Sequence, residues 1–138
     1  KKTKNKDTKK VIRDNAYNFY RNKCNVPTNE VMWTTFKEFK DSLAPMGLKE
    51  HFVSVNARAT NQFQHKRTCI YLANIYTNPL IKHFFNKRGV QLNGDLFALS
   101  ELLQWLFRSR IRTGKSIDVF IPSKRMRTLL EQYLNNEI

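Results

Sequence analysis

Gln104, Arg108 and Arg112 recur at intervals of four in the stretch Leu99-Ser-Glu-Leu-Leu-Gln-Trp-Leu-Phe-Arg-Ser-Arg-Ile-Arg112. A helix that continues through this stretch brings the three towards one edge and leaves Arg110 on another face. An arginine there reaches an anion presented from outside the domain, because its permanent charge and planar fork match phosphate oxygens. The same periodicity also describes a solvated basic face, and spacing alone leaves both readings open. Gly114-Lys115-Ser116 ends as a phosphate-binding loop ends, but that loop needs a further glycine five residues earlier, where Ser109 stands. The context is also reversed. A phosphate loop follows a strand and opens a helix, whereas here a helix precedes and a strand follows, so a turn is predicted.

Other chemistry is thin. His51, His65 and His83 lack metal spacing, no Ser-His-Asp or Cys-His set is legible, and no metal site is expected. Asp118, on a predicted strand near Lys124, lacks the second acidic ligand of a nuclease. Cys24 and Cys69 are far apart with no Cys-x-x-Cys, and are expected to be reduced thiols.

The charge balance is more informative. The 138 residues hold 25 Lys and Arg against 11 Asp and Glu, a net charge of +14. Such an excess repels itself unless a polyanion neutralises it, which makes nucleic acid the first expected partner and a membrane surface the second. No window approaches the roughly 20 apolar residues of a membrane span, and the Lys-rich start has no apolar signal core. A soluble, cytoplasmic protein is expected. The sequence begins with Lys1 rather than Met, which predicts a piece of a longer protein.

These residues need a scaffold. Residues 1–10 hold six Lys and nothing apolar, and are expected to form a basic disordered tail or linker. Residues 11–138 are read as a single domain. Ile12, Ala16, Phe19 and Tyr20 predict a helix from Val11 to about Lys23. Val31–Phe36 predicts a strand, Phe39 and Leu43 a short helix, and His51–Asn56 a second strand. Cys69, Leu72, Ala73 and Tyr76 fit helical spacing, so a helix is predicted from near Thr60 to Asn78. The next is capped by Asn78 and Pro79, buries Ile81, Phe84 and Phe85, and stops at Gly89. Leu99, Leu102, Leu103 and Leu106 mark another helix, Ile117–Ile121 a third strand, and Pro122-Ser123 introduces a last helix with Met126, Leu129, Leu130, Tyr133 and Leu134 on one face. Strands alternating with helices predict a small three-layer α/β domain with a short parallel sheet.

Gln104-x-x-x-Arg108 followed by Arg112, on a helix just before a strand, resembles motif VI of superfamily 2 helicases, commonly Gln-x-x-Gly-Arg-x-Gly-Arg. Val31–Phe36 looks like motif IV, and Val55-Asn-Ala-Arg-Ala-Thr-Asn61 like motif V. The order is that of the family, and the resemblance covers roughly residues 11–135. The sequence departs from it at Phe107, which replaces the motif VI glycine, at the one-step displacement of Arg112, and in the motif V stretch, which lacks Arg-Gly-x-Asp. The resemblance implies a RecA-like C-terminal lobe. In such a lobe Gln104, Arg108 and Arg112 act on ATP and Mg held by an N-terminal ATPase lobe, in cis or in trans, and this chain alone hydrolyses nothing. It also implies that Trp33, Thr34, Thr35, Asn56, Arg58, Thr60 and Asn61 contact a nucleic-acid strand. The alternatives are a stand-alone, non-enzymatic nucleic-acid-binding protein and a module that docks on an acidic protein partner.

Overall fold

A computed structural model describes residues 2–57 and 62–137. Helix α1 (Lys2–Asn18) continues through a π-helical turn at Phe19–Lys23 into strand β1 (Val31–Thr34). Helix α2 (Lys40–Leu43) follows after a 3-10 turn, then come β2 (Thr68–Tyr71), α3 (Pro79–Lys87), α4 (Gly94–Leu106), β3 (Asp118–Phe120) and α5 (Lys124–Leu134). The three strands form a parallel sheet in the order β1-β2-β3, with Val31 opposite Thr68 and Thr68 opposite Asp118.

Alternation along the strands builds two cores, one on each face of the sheet. Met32, Cys69 and Tyr71 face α4 and α5, packing with Leu99, Leu102, Trp105, Met126 and Leu129. Val31, Trp33 and Ile70 face the other way, onto Ala16 and Tyr20 of the first helix and Leu43 of α2. The predicted three-layer α/β architecture is therefore present.

Three elements differ from expectation. The stretch predicted as a helix around Cys69 is strand β2. Cys69, Tyr71, Ala73 and Ile75 go to one core while Ile70 and Leu72 go to the other. A run buried on both faces is apolar at every step, so it satisfies helical spacing by default. The second predicted strand, His51–Asn56, contributes a single parallel bridge, Phe52 beside Trp33, with the Val53 amide donating to the Trp33 carbonyl at 2.9 Å. A 3-10 turn at Lys49–His51 and a turn at Val55-Asn56 leave no length for more. Helix α3 has the expected caps, but Leu80 is 79% exposed and Ile81 and Phe84 are also exposed, with Phe85 half-buried. The sheet face that carries Met32, Cys69 and Tyr71 is taken by α4 and α5 instead.

The first helix also starts before Val11, at Lys2. The Lys9 ammonium stands 4.9 Å from the centre of the Phe39 ring, so a basic residue of the Lys-rich segment docks on the α2 layer.

Lys66 is a buried cation beneath the amino ends of the strands. Its ammonium donates to the Asn29 carbonyl at 2.8 Å and lies 3.0 Å from His51 Nδ1. Burial, then the Lys66 charge, lower the His51 pKa from 6.5, and burial lowers that of Lys66. A base whose folded pKa is depressed contributes stability above its ordinary pKa and loses it as pH falls through the folded value. Melting temperature is therefore expected to drop between pH 7 and pH 5.5, and His51→Gln, which can still accept from Lys66, should flatten part of that drop. An unchanged pH profile in the variant would assign the acid sensitivity to other groups.

Candidate nucleic-acid interface

In open α/β sheets ligands collect outside the carboxyl ends of the strands. Two clefts lie there. One, of about 600 Å³, is lined by Tyr76, Lys82, Gln91, Asn93, Gly94 and Arg125 among others. It is organised by Arg125, which follows the helix-opening Ser123 cap on Met126 N. The guanidinium donates to the Asn74 side chain at 2.8 Å, to the Ile75 carbonyl at 2.6 Å and to Asp95 Oδ1 at 3.0 Å. It also lies 4.4 Å from the Tyr76 ring centre, so one side chain ties α5 to the end of β2 and the start of α4. The second cleft, of about 430 Å³, is bounded by Thr35, Lys37, Lys40, Phe52, Ser54 and Asn56.

The arginines sit at the opposite end of the sheet. Helix α4 stops at Leu106, and Ser109 leaves helical geometry at φ −81°, ψ −173° to cap a 3-10 turn over Arg110–Thr113. Ser109 Oγ donates to the Leu106 carbonyl at 2.6 Å. Gly114, with φ +85°, closes that turn in the left-handed region that favours glycine. Gly114-Lys115-Ser116 is therefore a turn into β3. The Arg110 amide bonds the Lys66 carbonyl at 2.9 Å, and its Nε donates to the Ser116 carbonyl at 2.6 Å, which fixes this turn below the first residues of β2 and β3.

Gln104 and Arg108 still belong together, since Arg108 Nη1 donates to the Gln104 carbonyl. Arg112 no longer continues their edge, because the helix that would carry it has ended. The amino-end rim nevertheless carries Arg67 beside Glu30 and the turn that holds Arg110 and Arg112, followed by Lys115, with the Arg110 amide bonded to the Lys66 carbonyl and the Asp118 amide to the Arg67 carbonyl. Glu30 is taken by Arg67 at 3.7 Å.

The strand-end residues have other occupations. Trp33 and Thr34 are enclosed at 0% exposure, and Trp33 Nε1 donates to the Leu48 carbonyl at 2.6 Å. Thr35 is equally buried and its hydroxyl donates to the Leu72 carbonyl at 3.1 Å, tying β1 to β2. The polar atoms of Trp33 and Thr35 are thus spent inside the fold, and the Thr34 hydroxyl is buried with no hydrogen-bond partner among the described residues. Asn56 is exposed beside the second cleft and accepts from Ser54 Oγ at 2.6 Å. Arg58, Thr60 and Asn61 lie outside the described residues.

Sequence reasoning missed Tyr76, Lys82, Asn93 and Arg125. Tyr76 was absorbed into a supposed helix, while the Asn93-Gly94-Asp95 and Ser123-Lys124-Arg125 helix starts were legible signals. Burial pushes the Cys69 thiol up to about 12 and also raises that of Cys24, which disfavours the nucleophilic thiolate at both. Among the described residues no group of three or more His, Cys, Asp or Glu could hold a metal, and no helix is long and apolar enough to cross a membrane.

The family model described as the YonV C-terminal Rossmann-like domain matches residues 1–134. The chain is 41% identical over 128 residues to the SPbeta prophage-derived uncharacterized protein YonV of Bacillus subtilis (strain 168). That match covers 93% of this chain and 31% of the relative, so the chain spans about a third of the relative's length. No solved structure matches it. The family description gives a Rossmann-like fold and names no helicase. With its parallel sheet covered on both faces, and with a match across nearly its whole length, the chain belongs to the family of YonV C-terminal Rossmann-like domains.

Proposed function

We propose that this Rossmann-like domain binds the phosphate backbone of nucleic acid, largely without regard to base sequence. The observation that carries the reading is an excess of basic charge that the chain's own acids cannot cancel. The sequence has 25 basic against 11 acidic side chains, a net charge of +14, and two of those acids, Glu30 and Asp95, are already taken by Arg67 and Arg125. The amino-end rim, with Arg110, Arg112 and Lys115 on one short turn, is the proposed phosphate contact. A dinucleotide is a poorer fit. Its pyrophosphate needs glycines in the first strand-to-helix turn, and that turn reads Thr35-Phe36-Lys37.

The narrower helicase version would have Arg108 and Arg112 act as fingers on ATP and Mg held by another lobe. It needs both arginines on one helical edge, so the helix end at Leu106 favours the binding reading. This chain is assigned no nucleotide hydrolysis.

The test is binding of a fluorescent single-stranded 20-mer across a salt series. Each phosphate neutralised contributes about −0.7 to the log–log slope, so about four contacts predict a roughly 50-fold loss between about 50 and 200 mM salt. A flat series would remove nucleic acid as the partner.

A further inference from the structure

The cleft at the carboxyl end of the sheet has features that backbone binding does not use. Tyr76 is 65% exposed, yet its ring is held in place. Its hydroxyl accepts from Asn74 Nδ2 at 3.1 Å, and the guanidinium of Arg125, itself fixed by Asp95, Asn74 and Ile75, lies 4.4 Å from the ring centre. An exposed aromatic ordinarily loses rotamer freedom when something stacks on it; here that cost is already met by the fold. Across the cleft, Asn93 Oδ1 caps α4 by accepting from the Asp95 and Leu96 amides, which leaves its amide nitrogen with two donors to spend. Gln91 adds a second carboxamide and Lys82 a cation. Gly94 lets the start of α4 come this close, since a Cβ there would stand 3.2 Å from Thr77 Oγ1. The negative charge of Asp95 is compensated by Arg125 at 3.0 Å.

A fixed aromatic face, two carboxamides able to bond a planar heteroaromatic edge, and one cation make a nucleotide-sized arrangement in a cleft of about 600 Å³. We propose that this cleft takes one unpaired base of a single strand, stacked on Tyr76, with its phosphate on Lys82. The proposal rests on the nucleic-acid reading and adds the class of substrate: single strands over duplex, DNA or RNA, whose bases and phosphates are alike in this respect.

Helix α4 supplies the path. It begins at this cleft and ends above the arginine turn, and its 13 residues span about 20 Å, or about six nucleotides at 3.4 Å each. Phe97, Ser100, Gln104 and Phe107 are exposed along one face of it, at the i, i+3, i+7 and i+10 positions. A strand laid on that face meets aromatic rings between its two basic ends.

The experiment compares Tyr76→Ala, Tyr76→Phe and Lys82→Gln with the parent chain on a single-stranded 12-mer and a duplex of the same sequence, each as DNA and as RNA. Tyr76→Ala should weaken single-strand binding by about 5- to 100-fold with duplex binding unchanged, because base stacking on an aromatic contributes about that much. Tyr76→Phe should recover most of it. Lys82→Gln should reduce the salt slope on single strands by about 0.7. A parent chain that binds no nucleic acid overturns both readings. Salt-dependent binding that Tyr76→Ala leaves unchanged overturns the cleft and leaves the backbone reading standing. Equal losses on single strand and duplex also overturn the cleft, since a base inside a duplex is not available to it. Thermal melting of each variant checks that the exposed substitutions leave the fold intact.

Discussion

Replacing Arg110, Arg112 and Lys115 together by glutamine should weaken single-strand binding by about 100-fold near 0.1 M salt. The figure follows from counterion release: a contact with a slope of about 0.7 contributes roughly 0.7 of a decade at that salt, about 5-fold, and three contacts multiply. The log–log slope should fall by about 2 in the same variant, which separates lost phosphate contacts from a general loss of structure. Arg112 and Lys115 are exposed, and the bond of Arg110 to the Ser116 carbonyl is within reach of a glutamine. The turn itself depends on Ser109 and Gly114, which stay, so melting should move little, as for surface substitutions in general. A folded triple variant with the parent's affinity and slope would move the phosphate contact away from the amino-end rim.

That turn also shows how far the sequence could be read. Helix starts and stops written in side-chain chemistry were legible: Asn78 and Pro79 open α3, Ser123 opens α5, and Gly114 closes a turn rather than a phosphate loop. The three-layer α/β class followed from alternation of element types. What spacing could not supply was the point where Ser109 leaves helical geometry, because Gln104, Arg108 and Arg112 keep their interval of four whether or not the helix continues. Ser109 was the available signal, since serine readily exchanges helical bonds for its own capping bonds. The β2 error has a different cause. Thr68–Tyr71 is enclosed on both faces, and burial on both faces erases the period that distinguishes strand from helix. The exposed apolar residues of α3 were placed inside because hydrophobicity was equated with burial, a rule that runs one way only.

The same confusion of residue type with location governs Trp33, and Trp33→Ala should be the most damaging single substitution to the fold. An exposed Trp on a strand end can contact a nucleic-acid strand, and the helicase resemblance implies that Trp33 does so through the strand's backbone. In the structure its side chain lies between the sheet and the α1–α2 layer, with Val31, Ile70, Leu43 and Leu48 in the same core. Its indole nitrogen bonds the Leu48 carbonyl at 2.6 Å, and its ring meets Phe52 edge-on with centres 5.0 Å apart. Removing the indole opens a cavity and leaves the Leu48 carbonyl short of a buried donor. Truncations of this kind cost about 3–5 kcal/mol, against a total stability of about 5–15 kcal/mol for a domain. Melting should fall by roughly 10–20 °C at the few degrees per kcal/mol expected for this size. Affinity for a single strand, measured well below the new melting temperature, should stay near that of the parent chain, because no surface group has changed. The opposite pattern, parental melting with lost binding, would return Trp33 to the nucleic-acid interface and place that interface at the carboxyl end of β1.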